Sequence, residues 1–298
     1  MRNVDLSIII VNYNTFKLTK ETIDSCLAEP TNYTYEIFLV DNKSTDDSLE
    51  KLQEYFKMET ERGILRIIPN SSNEGFAKAN NIAINQANGD FILLLNSDTL
   101  IKQSTIDKCM DYISKGTHAD VGALGCKVSL ADGSLDKACK RSFPNPVNSF
   151  YKLFNIKTNS KNDNYNLDNL DDDGVYEIDC LTGAFMLVRK EAIDDVGLLD
   201  ETFFMYGEDI DWCYRIKHAG WKIVYLGQAE IIHYKGASSE DAKTKKRNPK
   251  LIYEFYRAMY IFYKKHYTKK YNVLLNIAVY IGIGVLLIFN LARNAFRS

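Results

Sequence analysis

Three short polar runs stand directly behind apolar ones. Asn12-Tyr13-Asn14 follows residues 6–11, Asp41-Asn42 follows 36–40, and Asn96-Ser97-Asp98 follows 91–95. Asp41 could accept the imide N–H of a uracil or thymine ring, and Asp98 could hold a divalent cation through a hard oxygen. Singly, such residues ordinarily begin loops or cap helices. Three of them at consecutive strand ends point to a binding crevice, because ligands of open α/β sheets sit outside the carboxyl ends of the strands. A second cluster, Gly207-Glu208-Asp209-Ile210-Asp211-Trp212, opens a helix. First-turn acids suit the helix dipole, and Asp211 with Arg215 reads as a helical ion pair. Adjacent Glu208 and Asp209 exceed what capping needs. His233 ends a strand just past this helix and is a metal-ligand candidate, although a lone histidine is more often structural.

The elements that must position these residues follow from periodicity. Runs 6–11, 36–40, 65–68, 91–95 and 121–126 are short and apolar and read as buried strands. Between them lie helical patterns: Leu18, Ile23, Cys26 and Leu27; residues 46–56; about 75–87, stopped by Asn88-Gly89; and Ile106, Met110 and Ile113. This alternation implies an α/β fold with a mostly parallel central sheet and helices on both faces. Residues 155–173, rich in Asn and Asp, read as a surface loop. The wider stretch 142–176 is rich in Asn, Asp, Tyr and Phe. Strands are expected at 177–180 and 184–188, a helix at about 207–219, and strands at 222–226 and 230–233. Residues 236–250 read as a polar, basic linker or membrane-facing loop.

The chain has 298 residues with 37 Lys and Arg against 39 Asp and Glu, a net charge of −2. That total excludes a strongly basic nucleic-acid binder. It also conceals a division, for residues 1–234 hold 24 basic and 36 acidic side chains, and 235–298 hold 13 and 3. A hydrophobic fraction of 46% with 26% charged residues excludes disorder and collagen-like structure. Six cysteines without a C-x-x-C pair argue against a zinc cluster and a disulfide framework. Asp5 ahead of a six-residue apolar run does not make a secretory signal, so the reducing cytosol is expected.

Between Lys270 and Arg293 lie 22 uncharged residues, apolar on all sides of a helix. A bilayer core takes about 20. Ten Lys and Arg from Lys243 to Lys270 precede them, the positive-inside pattern, which also suits anionic headgroups. Asn276, Gly282, Gly284 and Asn290 interrupt the run, and a core helix or an oligomer contact is the competing reading. We read a domain over 1–235 and a membrane-associating tail over 236–298. Residues 243–292 would face the cytoplasmic side of the membrane, either peripherally or through a single C-terminal span.

Taken in order, several motifs carry a resemblance. They are Ser7-Ile-Ile-Ile-Val-Asn-Tyr-Asn14; Asp41-Asn42 with Ser44 and Asp46; Asn73-Glu-Gly-Phe-Ala-Lys-Ala-Asn80; Leu95-Asn-Ser-Asp98; Thr182-Gly-Ala184; and Gly207-Glu-Asp-Ile-Asp-Trp212. Together they resemble the family 2 glycosyltransferases with the GT-A fold, in the rhamnosyltransferase-like branch that builds bacterial surface polysaccharides. The match covers about residues 5–235. The resemblance implies that Asp41 reads the nucleotide base and that Asn12, Tyr13, Asn73, Gly75, Asn80, Asn96 and Gly183 line the donor site. Asp98 matches the last acid of the DXD motif that holds Mg²⁺ or Mn²⁺. His233 matches a histidine that completes the metal site in some relatives. Asp209 matches the general base, with Glu208 positioning the base or the acceptor. The chain departs from the motif at Asn96, where the first DXD acid would stand, so the cation has one carboxylate fewer.

The implied activity is an inverting transfer from a nucleotide-diphosphate sugar, dTDP-rhamnose or a UDP-hexose, to a glycan or polyprenyl-diphosphate-linked acceptor. A non-catalytic sugar-nucleotide-binding or scaffold protein of the same fold is the alternative. It would keep Asp41 without needing Glu208, Asp209 and His233. A dinucleotide oxidoreductase is disfavoured, because Asn12-Tyr13-Asn14-Thr15 stands where G-x-G-x-x-G would follow the first strand. An oligomer is compatible with the apolar tail.

Overall fold

The structure, a computed structural model, describes residues 4–153, 165–234 and 247–296. Strands β1 (Leu6–Asn12), β2 (Tyr35–Asp41), β3 (Leu65–Pro69) and β4 (Phe91–Asn96) pair in parallel in the order β3-β2-β1-β4. They are linked by α1 (Phe16–Ala28), α2 (Ser48–Tyr55), α3 (Lys57–Glu61) and α4 (Gly75–Ile84). Ile8, Ile9 and Ile10 are all fully buried. Successive strand residues point to opposite faces, so both faces of the sheet are covered.

The chain continues through β5 (Thr99–Ile101), α5 (Thr105–Ile113), β6 (Val121–Leu130), α6 (Pro146–Leu153), β7 (Val175–Glu177), β8 (Phe185–Arg189), α7 (Lys190–Val196), α8 (Glu208–His218) and β9 (Lys222–His233). Here the parallel expectation gives way to a mixed sheet. β8 runs antiparallel between β4 and β6, β9 is parallel to β6, and β5 and β7 are antiparallel to β9. The reversal of β8 has a use. The Asn96 amide at the end of β4 donates to Ala184 O at the start of β8, 3.1 Å away. Gly183 is thereby brought to the strand-end crevice.

Three further expectations are corrected. Residues 222–226 and 230–233 are one strand, because a register shift on β6 between Cys126 and Lys127 absorbs the intervening residues. The strand expected at 177–180 is Val175–Glu177, and Cys180 instead bridges to Arg141. Of the loop 155–173 only 165–173 lies within the described residues. Of the linker 236–250 only 247–250 does, and Pro249 already begins a helix.

That helix, α9 (Pro249–His266), and α10 (Val273–Ala295) form the C-terminal hairpin. Ala258, Phe262 and Tyr263 of α9, together with Tyr267, make a small core with Phe203 and Tyr214. α10 is long and apolar enough to cross a membrane by length and composition. All six cysteines are buried and unpaired.

Candidate active site

The ends of β1, β2 and β4 lie side by side, with Asn12 opposite Asp41 and Val11 opposite Asn96. Asp41 is buried. Its Oδ1 accepts from Asn12 Nδ2 at 2.7 Å and Ser44 Oγ at 2.6 Å, and its Oδ2 accepts from Ser44 N at 3.0 Å. A carboxylate has about four acceptor positions, so Oδ2 keeps one for a donor N–H. Asn12 is locked in the layer beneath: it is fully buried, and its Oδ1 accepts from Thr15 and Thr19 hydroxyls at 2.9 and 2.7 Å. Tyr13 is exposed at the rim.

The Asn73–Asn80 segment is shaped by a residue the motif reading left without a role. Asn42 donates to Asn73 Oδ1 and Gly75 O, and accepts from Asn70 Nδ2 and Glu74 N, all at 3.0–3.2 Å. Gly75 has φ +78°, and a Cβ there would stand 2.3 Å from Phe204 O. Only glycine meets both demands. Asn80 is buried and donates back along its helix to Phe76 O at 2.8 Å.

At the end of β4, Asp98 Oδ1 lies 3.1 Å from His233 Nε2, which β9 carries in from the far side of the sheet. Asn96 Nδ2 is 3.5 Å from the same nitrogen. Behind the ring, Asp136 Oδ2 stands 3.6 Å from Nδ1. That is too long for a hydrogen bond, so Asp136 acts through its charge. Burial by itself would lower the imidazolium's pKa. The carboxylates of Asp136 and Asp98 outweigh it and raise the pKa to about 9.

Asp98 supplies the hard oxygen that a Mg²⁺ or Mn²⁺ ion takes, and His233, protonated at pH 7, could ligate only after giving up its Nε2 proton. Nδ1 is buried without a hydrogen-bond partner, which leaves Nε2 as the nitrogen facing the crevice. Among the described residues no group of three His, Cys, Asp or Glu converges. Asp98 and His233 are thus two groups of ligand type in contact, without a third joining them among the described residues.

The second centre is the start of α8. Asp209 Oδ2 pairs with Arg141 Nη2 at 2.7 Å. The same guanidinium nitrogen donates to Leu181 O, and Nη1 lies 3.4 Å from the Tyr165 hydroxyl. A Cβ on Gly183 would touch Asp209 Cβ at 4.0 Å, so the glycine turn borders the carboxylate. Glu208 is buried with Oε2 unpartnered. Burial first, and the Asp209 charge second, push its carboxyl up to about 8. Glu208 is thus neutral at pH 7, next to the carboxylate side chain that pairs with Arg141.

Asp211 faces away, fully buried. Its Oδ2 meets Arg215 Nε at 2.8 Å, which is the ion pair expected from the spacing, and its Oδ1 meets Lys265 at 2.8 Å and His266 at 2.7 Å. Trp212 is core, with its indole N–H on Gly197 O at 2.9 Å.

Arg141, Asp136 and Asn42 are the residues that motif reading missed. Asn42 had a signal, its position beside Asp41 at a strand end. Arg141 and Asp136 had none, since both come from connections between elements.

The profile of Glycosyl transferase family 2 matches residues 7–197. The N-acetylglucosaminyl-diphospho-decaprenol L-rhamnosyltransferase of Mycobacterium tuberculosis is 27% identical over 261 residues, 78% of this chain and 77% of that one. Rhamnosyltransferase WbbL of Escherichia coli is 27% identical over 237 residues, 76% of this chain and 82% of that one. Among solved structures, a Pyrobaculum calidifontis mannosyltransferase in complex with GDP-Man and Mn²⁺ superposes with a TM-score of 0.59 at 15% identity, covering 87% of this chain and 63% of that one. Staphylococcus aureus TarS in complex with UDP gives 0.54 at 19%, covering 87% and 65%. These superpositions carry the GT-A fold expected from the motifs. The chain belongs to glycosyl transferase family 2.

Proposed function

We propose that this glycosyltransferase transfers a sugar with inversion from a nucleotide-diphosphate donor, dTDP-rhamnose or a UDP-hexose, to a polyprenyl-diphosphate-linked glycan in cell-surface polysaccharide synthesis. The rhamnosyltransferase relatives, one of them named for a decaprenol-diphosphate acceptor, support this choice. Residues 1–235 are the catalytic part, and 236–298 hold it at the cytoplasmic face of the membrane.

One observation carries the reading. Asp209, fixed by Arg141 at 2.7 Å, stands beside Gly183, and the next residue, Ala184, accepts from the backbone amide of Asn96, two residues before the Asp98 that meets His233. Asp41 takes the base through its remaining Oδ2 position. Asp98 and His233 would hold Mg²⁺ or Mn²⁺, which when bound neutralises charge gathering on the departing diphosphate. Asp209 accepts the proton of the acceptor hydroxyl as that oxygen attacks the anomeric carbon from the face opposite the diphosphate. One base and one displacement invert the centre. Arg141 keeps the carboxylate oriented through both states, and Glu208, neutral at pH 7, adds no second negative charge.

The test is a panel of nucleotide sugars offered with a polyprenyl-diphosphate-linked N-acetylglucosamine and Mn²⁺. The expected product carries one added sugar of inverted configuration, with dTDP-rhamnose the expected donor. A retained configuration overturns the single-displacement reading. Binding without turnover for every donor, with any acceptor offered, would favour the non-catalytic alternative.

A further inference from the structure

The hairpin answers a question that the apolar run leaves open, and the answer comes from the polar residues that interrupt that run. Every exposed residue of α10 from Val273 to Ala292 is apolar, and Leu274, Ile281 and Ile288 are 80%, 61% and 70% exposed. The asparagines all turn the other way. Asn276 accepts from the Tyr263 hydroxyl at 2.7 Å and donates to Thr268 O at 2.9 Å. Asn290 donates to the Tyr256 hydroxyl at 2.7 Å. Asn294 exchanges hydrogen bonds with the backbone of Arg247, at 2.9 and 3.0 Å. These bonds begin one turn into α10 and end in its last turn, so the helix is strapped along its whole length, antiparallel, to α9.

α9 cannot follow it into a bilayer. It carries Lys250, Glu254, Arg257, Lys264 and Lys265, and charges at the hydrocarbon centre are strongly disfavoured. It is also tied to the catalytic part. Arg257 donates to Thr202 O at 2.9 Å, Lys265 pairs with Asp200 at 2.6 Å, and Lys265 and His266 both hold buried Asp211. For α10 to cross the membrane, either these straps must break or charged α9 must be dragged in.

We infer that α10 lies in the plane of an anionic lipid leaflet, with Leu274, Ile277, Ile281, Val285, Ile288 and Phe289 among the acyl chains and α9 above it at headgroup level. Taken together, the two helices present one apolar face, that of α10, with the cations of α9 and the helix ends around it, the form that lies in an interface. Lys250, Lys264, Lys269 and Arg293 are exposed along the hairpin, and the part 235–298 has 13 basic against 3 acidic residues. Tyr253, Phe255 and Tyr260 are exposed on α9, and aromatic side chains favour the membrane–water boundary.

The geometry also sets a distance. α9 begins beside the turn into α8, with Lys250 Nζ 4.1 Å over the Phe204 ring and Phe255 edge-on to Tyr206 at 5.9 Å. The end of α10, tied by Asn294 to Arg247 just before α9, therefore lies near the turn that leads into α8. This deepens the proposed membrane association and rests on it, and the test separates the two.

The native cysteines are buried, so a membrane-impermeant maleimide reads only an introduced thiol. Full-length Lys269→Cys and Ala295→Cys proteins are labelled in sealed inside-out and right-side-out vesicles from the expressing cells. Ile281→Cys is labelled with and without vesicles of phosphatidylcholine and phosphatidylglycerol. The expected result is that both end positions label only in inside-out vesicles, and that Ile281→Cys is protected when the lipid is present. Ends that label from opposite sides mean a span and overturn the inference, while membrane association stands. Ile281→Cys that stays reactive on bound vesicles also overturns it, leaving a purely electrostatic attachment. Absence from every vesicle, with Ile281→Cys protected by a second copy in solution, overturns both. Ile281→Asp with Ile288→Asp should weaken vesicle binding about tenfold or more, since each removes a large apolar side chain from lipid.

Discussion

The Asp209 carboxylate and the Arg141 guanidinium meet at 2.7 Å, across 68 residues of sequence, at the opening of α8. A carboxylate held this way is oriented in advance, as the proposed base would need to be. Its neighbour Glu208, with a carboxyl pushed up to about 8, stays neutral at pH 7. The two acids therefore predict opposite mutational outcomes. Asp209→Asn should lower turnover by about 10²–10⁴ with donor binding retained. Glu208→Gln, which imitates the neutral acid, should keep most of it. The reverse order in single-turnover assays would make Glu208 the base.

The Asp98–His233 pair predicts a metal-conditional effect. Asp98→Ala should weaken nucleotide-sugar binding when Mg²⁺ or Mn²⁺ is present and leave it unchanged in excess chelator. Asp136→Asn, acting from behind the ring, should raise the half-saturating metal concentration by about 10–100-fold. Calorimetric titrations with and without chelator measure both. Equal losses in the two conditions would remove the metal role.

Asp211 predicts how stability responds to acid. Burial alone would raise its pKa, but His266, Lys265 and Arg215 bring it down to about 2 from a reference near 3.8. A carboxyl depressed on folding stabilises the fold above its unfolded pKa, and the contribution is lost as pH falls through the folded value. The advantage of the wild type over Asp211→Asn should be about 2 kcal/mol at neutral pH, and should shrink between about pH 4 and 2. Urea titrations across pH read the gap. A gap that does not change with pH would contradict the assignment.

Gly75 predicts a steric effect at a distance from the chemistry. Gly75→Ala meets both a φ of +78° and a Cβ 2.3 Å from Phe204 O. The backbone strain alone is worth about 1–3 kcal/mol, and the clash forces the Phe204 turn away from α4. A lowered Tm with weakened donor binding is expected, while Gly63→Ala, at φ +71° with nothing within 4 Å, should carry the backbone strain without the clash and lower Tm less. Equal effects would mean that the close approach does not matter.

The first half of the chain was legible because its rules are local. Apolar runs such as 6–11 and 91–95 mark buried parallel strands, and parallel strands align their carboxyl ends, so Asn12, Asp41 and Asn96 had to meet. The second half obeys contacts that no local pattern records. Arg141 reaches Asp209 from a connection between elements, and Asp136 reaches His233 across 97 residues. β9 reads as two strands because Gly227-Gln228-Ala229 looks like a turn, yet β6 accommodates it with a register shift. α9 escaped notice because the seven Tyr and Phe residues over 253–267 are interspersed with Glu254, Arg257, Lys264 and Lys265, which blurs any single apolar stripe. Asn276 and Asn290 looked like flaws in a membrane segment, whereas they are its bonds to α9.

The latch on Asp211 also orders events during synthesis. Asp211 and Arg215 leave the ribosome together, but Lys265 and His266 come more than 50 residues later. Domains assemble from the N-terminus as the chain emerges, so the strand-end crevice can form while α8 still lacks two of the three side chains that hold its buried Asp211. The last ion pairs close only when the hairpin docks. The carboxylate at the heart of α8 is thus not fully held until the C-terminal hairpin exists, which makes the last 50 residues a condition for completing the helix that carries Asp209.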